Sequence, residues 1–133
     1  MVIDTNIAVS ALIAKQGFSA KLFEQIISDK VQNFTSKEII EEIKDVLNRK
    51  EITERASEKA REFILTEYLK HSVKVNPKTK FEIAKDPDDN KFIETAIEAK
   101  TGFIITGDKI FLELKEFKGI KIITAKEFLS LKR

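Results

Sequence analysis

Four acidic positions carry the chemistry that this sequence suggests. They are far apart along the chain, and each lies where a strand should give way to a helix or just beyond such a point. The carboxyl ends of the strands in an α/β fold meet at one edge of the sheet, so acids that are distant in sequence can meet there. Carboxylate oxygens are the ligands that hard divalent cations prefer. The positions are Asp4 in VIDTN, Glu42 in TSKEIIEEI, the run Asp86-Pro87-Asp88-Asp89-Asn90, and Asp108 in IITGD.

Two of these acids have a purely structural explanation. Asp4 follows three residues at the start of the chain and could cap a helix over residues 5–14, since aspartate favours that position. Asp108 follows Thr106 and Gly107 and could cap a helix over residues 109–115. Asn6 could orient a carboxylate or serve as a cap. Taken singly, capping is the simpler interpretation, and the case for a site rests on the combination.

Glu42 is distinguished from its acidic neighbours by helical periodicity. It lies beside Ile39 and Val46, at the edge of the apolar face of a helix predicted over residues 36–47. Glu41 and Asp45 point away from that face. Glu42 is therefore the acid predicted to reach an interior cleft, and a solvated glutamate at the helix rim is the alternative.

The run from residue 86 to residue 90 places three carboxylates within four residues. Asp86 precedes a proline and so favours extended backbone. Asp88 and Asp89 stand at the start of a helix predicted over residues 90–100, where negative charge is favourable. Capping explains one of these acids, but like charges repel unless a cation neutralises them. Asp89 aligns with the inward helix face and is the predicted ligand, with Asp86 and Asp88 as second candidates.

The residue types restrict the chemistry to oxygen ligands. The chain has no cysteine and one histidine, which excludes a cysteine nucleophile, a thiolate zinc site and a disulfide framework. His71 opens a predicted strand, so a serine–histidine triad is disfavoured. The acids instead favour Mg²⁺ or Mn²⁺, ions that activate water and stabilise charge on a phosphodiester.

Binding of nucleic acid would depend on local groups, because the net charge is only +2. Lysines close in sequence to the acids could contact phosphates, among them Lys91 and Lys109. Phe18 and Phe111 could stack on bases. Packing in the core is the stronger interpretation of both rings.

Strands and helices alternate along the 133 residues, a length typical of one domain. This alternation predicts an α/β fold with a parallel or mostly parallel sheet covered on both faces. Residues 48–57 are predicted to be a connection or a frayed helical turn. No apolar run approaches the roughly 20 residues needed to cross a bilayer, and the N-terminus lacks the basic leader of a signal peptide, so a cytoplasmic protein is expected. The predicted strands are 1–4, 31–35, 71–75, 103–106 and 120–123, and the further predicted helices are 19–29, 57–70 (apolar stripe Ala60, Phe63, Ile64 and Tyr68) and 125–132.

Taken together and in this order, several segments resemble the PIN-domain family, and within it the small prokaryotic VapC-like ribonucleases of toxin–antitoxin systems. The resemblance implies a three-layer α/β/α sandwich over a single domain of residues 1–133, and Mg²⁺- or Mn²⁺-dependent cleavage of single-stranded RNA. It also implies a homodimer and an antitoxin protein that blocks the site. The segments are VIDTN, TSKEIIEEIKDVL, DPDDNKFIETAIEAK, FIITGDKIFLELKEF and IKIITAKEFL.

Carried over position by position, the resemblance assigns the family's four acids to Asp4, Glu42, Asp89 and Asp108. It assigns the supporting polar positions to Asn6 and Thr106. Two alternatives remain open, an RNA-processing nuclease outside a toxin–antitoxin system and a non-catalytic module that binds RNA or protein through its amphipathic helices. A phosphatase with an aspartate nucleophile is disfavoured, because VIDTN lacks a second aspartate two residues on.

Overall fold

The computed structural model describes residues 1–131 as a mostly parallel sheet flanked by helices, which confirms the predicted α/β architecture. Within these residues no helix has the length and apolar character needed to cross a membrane. The strands are β1 (Val2–Ile3), β2 (Asn33–Thr35), β3 (Ser72–Lys74), β4 (Phe103–Ile105), β5 (Glu116–Phe117) and β6 (Ile120–Ile123). The helices are α1 (Thr5–Ile13), α2 (Phe18–Ile27), α3 (Lys37–Leu47), α4 (Lys50–Thr53), α5 (Glu58–Lys70), α6 (Asn90–Ala99), α7 (Lys109–Leu112) and α8 (Ala125–Leu129).

The strand order determines which residues meet at the carboxyl edge. Strands β1, β4 and β6 are parallel neighbours, and β5 pairs antiparallel with β6 at the end of this ladder. Strands β2 and β3 form a second parallel ladder, and a hydrogen bond from Phe34 N to Met1 O (2.9 Å) sets β2 beside β1. Asp4, Thr106 and Thr124 directly follow β1, β4 and β6, so they share one edge of the sheet.

The central strands are apolar on both faces because helices cover both sides of the sheet. Ile3, Ile104 and Ile105 have no exposed surface. From the helices, Leu22, Ile39 and other large aliphatic and aromatic side chains complete the core. Short strands suffice here because most side chains of β1 and β4 are buried, and each fully buried aliphatic side chain stabilises the fold by about 1.5–3 kcal/mol.

The ends of several elements differ from the sequence-based expectation. Over residues 48–57 the helical turn, rather than the plain connection, is correct: it forms the short helix α4, held to the core by the buried Ile52. The predicted helix over residues 109–115 ends at Leu112, and β5 then forms a hairpin with β6. Lys118 and Gly119 both have positive φ (49° and 82°), as a two-residue turn of type I′ requires. The predicted helix 125–132 ends at Leu129, with Ser130 as its C-cap, and residue 132 lies outside the described residues.

The apolar stripe predicted for α5 is wrong at one position. Ile64 and Tyr68 are buried and Ala60 is half-buried, but Phe63 is 55% exposed. Tyr68 OH donates to Thr35 Oγ1 (2.7 Å), which ties the inner face of α5 to the end of β2. Phe63 lies about 100° around the helix from Ile64, outside this narrow inner face.

The orientation of α5 predicts opposite results for two adjacent alanine substitutions. Ile64→Ala should lower the free energy of unfolding by about 2–4 kcal/mol, because it leaves a cavity in the core. Phe63→Ala should change it by less than about 0.5 kcal/mol, as is usual for an exposed position. Urea unfolding of both variants measures the difference. Equal destabilisation by the two substitutions would contradict this orientation.

Candidate active site

Asp4 lies at the centre of the candidate site and is almost fully buried (5% exposed). Its backbone N–H donates to Ile105 O (2.8 Å), which continues the pairing of β1 with β4. The carboxylate accepts a hydrogen bond from Thr106 Oγ1 (2.6 Å) at Oδ2 and from the backbone N–H of Asn6 (3.3 Å) at Oδ1. Asp4 therefore caps α1, but its shorter hydrogen bond comes from across the sheet. The side chain of Asn6 is exposed.

Thr106 connects two of the predicted acids through one hydroxyl group. It is fully buried directly after β4, and its backbone N–H donates to Ile123 O (3.0 Å). While Oγ1 donates to Asp4, it also accepts from the backbone N–H of Asp108 (3.1 Å). This hydroxyl thereby fixes the turn that brings Asp108 to the same edge of the sheet.

Asp108 caps α7, since Oδ1 accepts from Ile110 N (2.9 Å). The residue is half-buried, and Lys109 beside it is exposed. The capping explanation is therefore correct for both Asp4 and Asp108. In both residues the cap bond uses Oδ1 and does not involve Oδ2.

Glu42 points into the cleft, as helical periodicity predicts. Its Oε2 accepts from Thr5 Oγ1, and its Oε1 lies 3.5 Å from Lys91 Nζ. The Glu42 side chain is 27% exposed, whereas Glu41 and Asp45 lie on the exposed face of α3. The Glu42 carboxylate thus contacts Thr5 and Lys91 and stays partly exposed. Thr5 was not predicted to be a residue of the site, although the sequence shows a hydroxyl residue directly after Asp4.

The run of residues 86–90 separates into a cap and a buried acid. Asp86 caps the 3-10 turn Pro87–Asp89, because its Oδ1 accepts from Asp88 N (3.0 Å). Asp86 and Asp88 are exposed. Asp89 is 8% exposed, makes no side-chain cap bond to α6, and its buried Oδ2 has no hydrogen-bond partner. The capping role predicted for Asp88 or Asp89 thus belongs to Asp86.

The electrostatics show that the acids act on one another. The pKa of Asp89 is raised to about 7, first by burial and then by the charges of Asp4, Asp86, Asp108 and Glu42. The pKa of Asp4 is also raised, first by burial and then by Glu42 and Asp108, against the lowering effect of its hydrogen bonds. Mutual repulsion of this kind requires proximity.

The acids nevertheless do not converge on one point. Among residues 1–131, no group of three or more histidine, cysteine, aspartate or glutamate side chains is close enough to hold a metal ion in these rotamers. The chemistry of the donor set still fits a hard cation. It consists of carboxylate oxygens, and one of them, Asp89 Oδ2, is buried without a partner.

Two buried polar residues on α6 position the segment that leads into Asp89. Asn90 Oδ1 accepts from Ile83 N (3.1 Å) and Ala84 N (2.8 Å), and Glu94 accepts from Phe81 N (3.0 Å). Glu94 was not predicted as a functional residue. Its spacing of four residues from Asn90, on a largely apolar helix, was the available signal.

Lys91 supplies a positive charge beside the acids. Its side chain is only 14% exposed, and its ammonium group lies 5.6 Å from the centroid of the Phe92 ring as well as near Glu42. A lysine held in this way partly offsets the carboxylate charge.

Comparison with known proteins identifies the family of this chain. The family described as "PIN domain" matches residues 1–110, which include all four acids. An uncharacterized protein of Methanocaldococcus jannaschii is 38% identical over 138 residues, covering 97% of this chain and 88% of the relative. The chain belongs to the PIN-domain family. A search of solved structures found no significant match.

Membership of this family suggests a nuclease. PIN domains generally use divalent metal ions, and PIN nucleases generally bind RNA. These general properties agree with the carboxylate-rich edge of the sheet.

The raised pKa of Asp89 predicts how stability depends on pH. Its ordinary pKa is 3.8 and its pKa in the folded protein is about 7, so the folded protein binds this proton more tightly. Without metal, stability should therefore be greatest at low pH within this window and fall as pH rises through 7. We expect a loss of about 2 kcal/mol between about pH 5.5 and about pH 8, or roughly 5–8 °C in melting temperature.

The Asp89→Asn variant is the control for this measurement. It cannot ionise, so most of the fall in melting temperature in EDTA should disappear. Mn²⁺ should restore the wild-type melting temperature at pH 8 far more than that of the variant. An equally steep pH dependence in both proteins would contradict the assignment to Asp89.

Proposed function

We propose that this protein is a Mg²⁺- or Mn²⁺-dependent endoribonuclease that cleaves single-stranded RNA. The observation that carries the proposal is the Asp89 carboxylate, which is buried, lacks a partner at Oδ2 and is repelled by Asp4, Glu42 and Asp108. A purely structural acid would have a hydrogen-bond donor or solvent at this place. A hard cation would neutralise this cluster.

Asp4, Asp89 and Asp108 would hold the ion, with Glu42 as the fourth acid. When bound, such an ion activates water and stabilises the charge that develops on a phosphodiester. Thr106 holds the Asp4 carboxylate, and Thr5 holds that of Glu42. The protein thereby fixes two of the acids before a ligand arrives, and such preorganisation lowers the reorganisation needed during the reaction.

The other polar residues of this edge have supporting roles in the proposal. Lys91 would contact a phosphate oxygen of the substrate from its place beside Glu42, and the exposed Lys109 would do so at the rim. Asp86 shapes the turn that delivers Asp89, while Asn6 and Asp88 line the exposed rim.

Binding of an ion requires the acids to close on one point. Glu42 would then exchange its contact with Lys91 Nζ (3.5 Å) for the ion. The charge of the cation would offset the repulsion that separates the carboxylates.

The catalytic part of the proposal is tested by cleavage of a mixed-sequence single-stranded RNA in Mn²⁺, in Mg²⁺ and in EDTA. Asp4→Asn retains the size of the side chain but removes its charge, so cleavage should fall by about 100-fold or more. Asp45→Asn, an exposed acid on α3, is the matched control and should cleave like the wild type. Full activity of the Asp4→Asn protein, or cleavage that persists in EDTA, would refute this assignment.

We further propose that the protein acts in the cytoplasm as a homodimer and as the toxin of a toxin–antitoxin pair, where an antitoxin protein covers the acidic edge. This part rests on the resemblance of the motifs to VapC-like ribonucleases. Induced expression in a bacterial host should then arrest growth, and Asp4→Asn should relieve the arrest because RNA cleavage causes it. Normal growth at a verified level of active wild-type protein would instead favour an RNA-processing nuclease.

A further inference from the structure

Phe18 is an exposed ring at the first residue of α2, contrary to the prediction that it packs in the core. It is 47% exposed, whereas Leu22 and Ile26, further along the helix, have no exposed surface. The ring lies beyond the end of the buried stripe of α2. Phe111, the other aromatic residue considered near this edge, is buried as predicted.

Two lysines from different helices approach the Phe18 ring. Lys21 Nζ on α2 lies 5.5 Å from the ring centroid, and Lys126 Nζ on α8 lies 5.8 Å from it. Both lysines are exposed. Within residues 1–131, neither forms an ion pair with an acid, so both positive charges are available to a ligand.

These lysines gain little from the dipoles of their own helices. Lys21 is the fourth residue of α2, far from its C-terminus, and α8, which carries Lys126, has only five residues. The exposed cation–π contacts contribute only about 0.5–1 kcal/mol each. Local stability therefore does not account for an exposed aromatic ring between two unpaired ammonium groups.

Backbone connections join this patch to the edge that carries the candidate active site. Ile123 O accepts the N–H of Thr106, the residue whose hydroxyl holds Asp4. The next residue, Thr124, caps α8, and Lys126 follows two positions later. The Phe18 ring lies against this lysine, so the patch adjoins the acidic edge on the side of β6.

We infer that Phe18, Lys21 and Lys126 form a binding site for single-stranded RNA beside the candidate active site. One base would stack on the Phe18 ring, and the flanking phosphates would contact the two ammonium groups. The identity of the ligand rests on the proposed function. Stacking of a base on an aromatic ring contributes about 1–3 kcal/mol, more than one exposed cation–π contact, so a base can displace a lysine from the ring face.

The surroundings of the ring leave room for neighbouring nucleotides. A hollow of about 620 Å³ extends from Phe18 along α2 to Leu129. Lys30 adds a positive charge to this hollow, and Glu24 opposes it. Because every base has a π-face, such a site holds the strand without selecting a sequence.

Fluorescence anisotropy of a short labelled single-stranded RNA, measured in EDTA, tests the inference independently of cleavage. Phe18→Ala should weaken binding about 5- to 100-fold, and Phe18→Tyr should retain it because the ring remains. The double variant Lys21→Ala/Lys126→Ala should weaken binding and lower the salt dependence by about one to two phosphate contacts.

The matched control is the double variant Lys59→Ala/Phe63→Ala on α5. Phe63 is as exposed as Phe18, and Lys59 lies one helical turn before it. This variant should bind RNA like the wild type. If Phe18→Ala does not fold, the comparison of Phe18→Leu with Phe18→Tyr decides, and retention of binding by leucine would overturn the inference.

The outcomes separate this inference from the proposed function. Cleavage by the wild type together with unchanged RNA binding by Phe18→Ala would overturn the inference alone. RNA binding that depends on Phe18 without any cleavage would support the inference and refute the nuclease. Absence of single-strand binding by the wild type, or equally tight binding of duplex RNA through Phe18, would overturn the inference.

Discussion

The hydrogen bond from Thr106 to the buried carboxylate of Asp4 is the contact on which the candidate site depends. A carboxylate that is 5% exposed is unfavourable without a donor. Thr106 provides one at 2.6 Å, and parallel pairing of β1 with β4 sets the two residues side by side. The same hydroxyl accepts from Asp108 N, so a single side chain orders two acids. The apolar strands beneath are buried on both faces, which keeps this geometry rigid.

The four acids around this contact differ in their hydrogen-bond and ion-pair partners. Glu42 has Thr5 and Lys91 as partners, and Asp108 accepts a backbone N–H. Among these four acids, Asp89 combines burial with an unpartnered oxygen, and its pKa is raised by burial and by the neighbouring charges. The carboxylates of the site therefore repel one another, and a cation would reduce this repulsion. Asn90 and Glu94 anchor the preceding segment and keep Asp89 in place.

Much of the fold could be predicted because the signals are local. Hydrophobic runs and serine caps located most helices and strands, and Ser36 and Ser57 do cap α3 and α5. Periodicity also separated Glu42 from Glu41 and Asp45. The failures occurred where burial depends on distant neighbours. Phe63 was placed in the core by helical spacing and Phe18 by its apolar ring, but within residues 1–131 no layer of the fold covers them.

The sequence by itself determined the residue types of the site, the alternation of strands and helices, and the turns at which the acids occur. These follow from local backbone preferences and from the chemistry of each side chain. Only the tertiary structure decided which oxygen has a donor and which has none, because Asp4, Thr106, Glu42 and Asp89 meet through strand order and helix packing. Helical spacing places Lys21 beside Phe18, but only long-range packing left the ring at the surface and brought Lys126 of α8 to it.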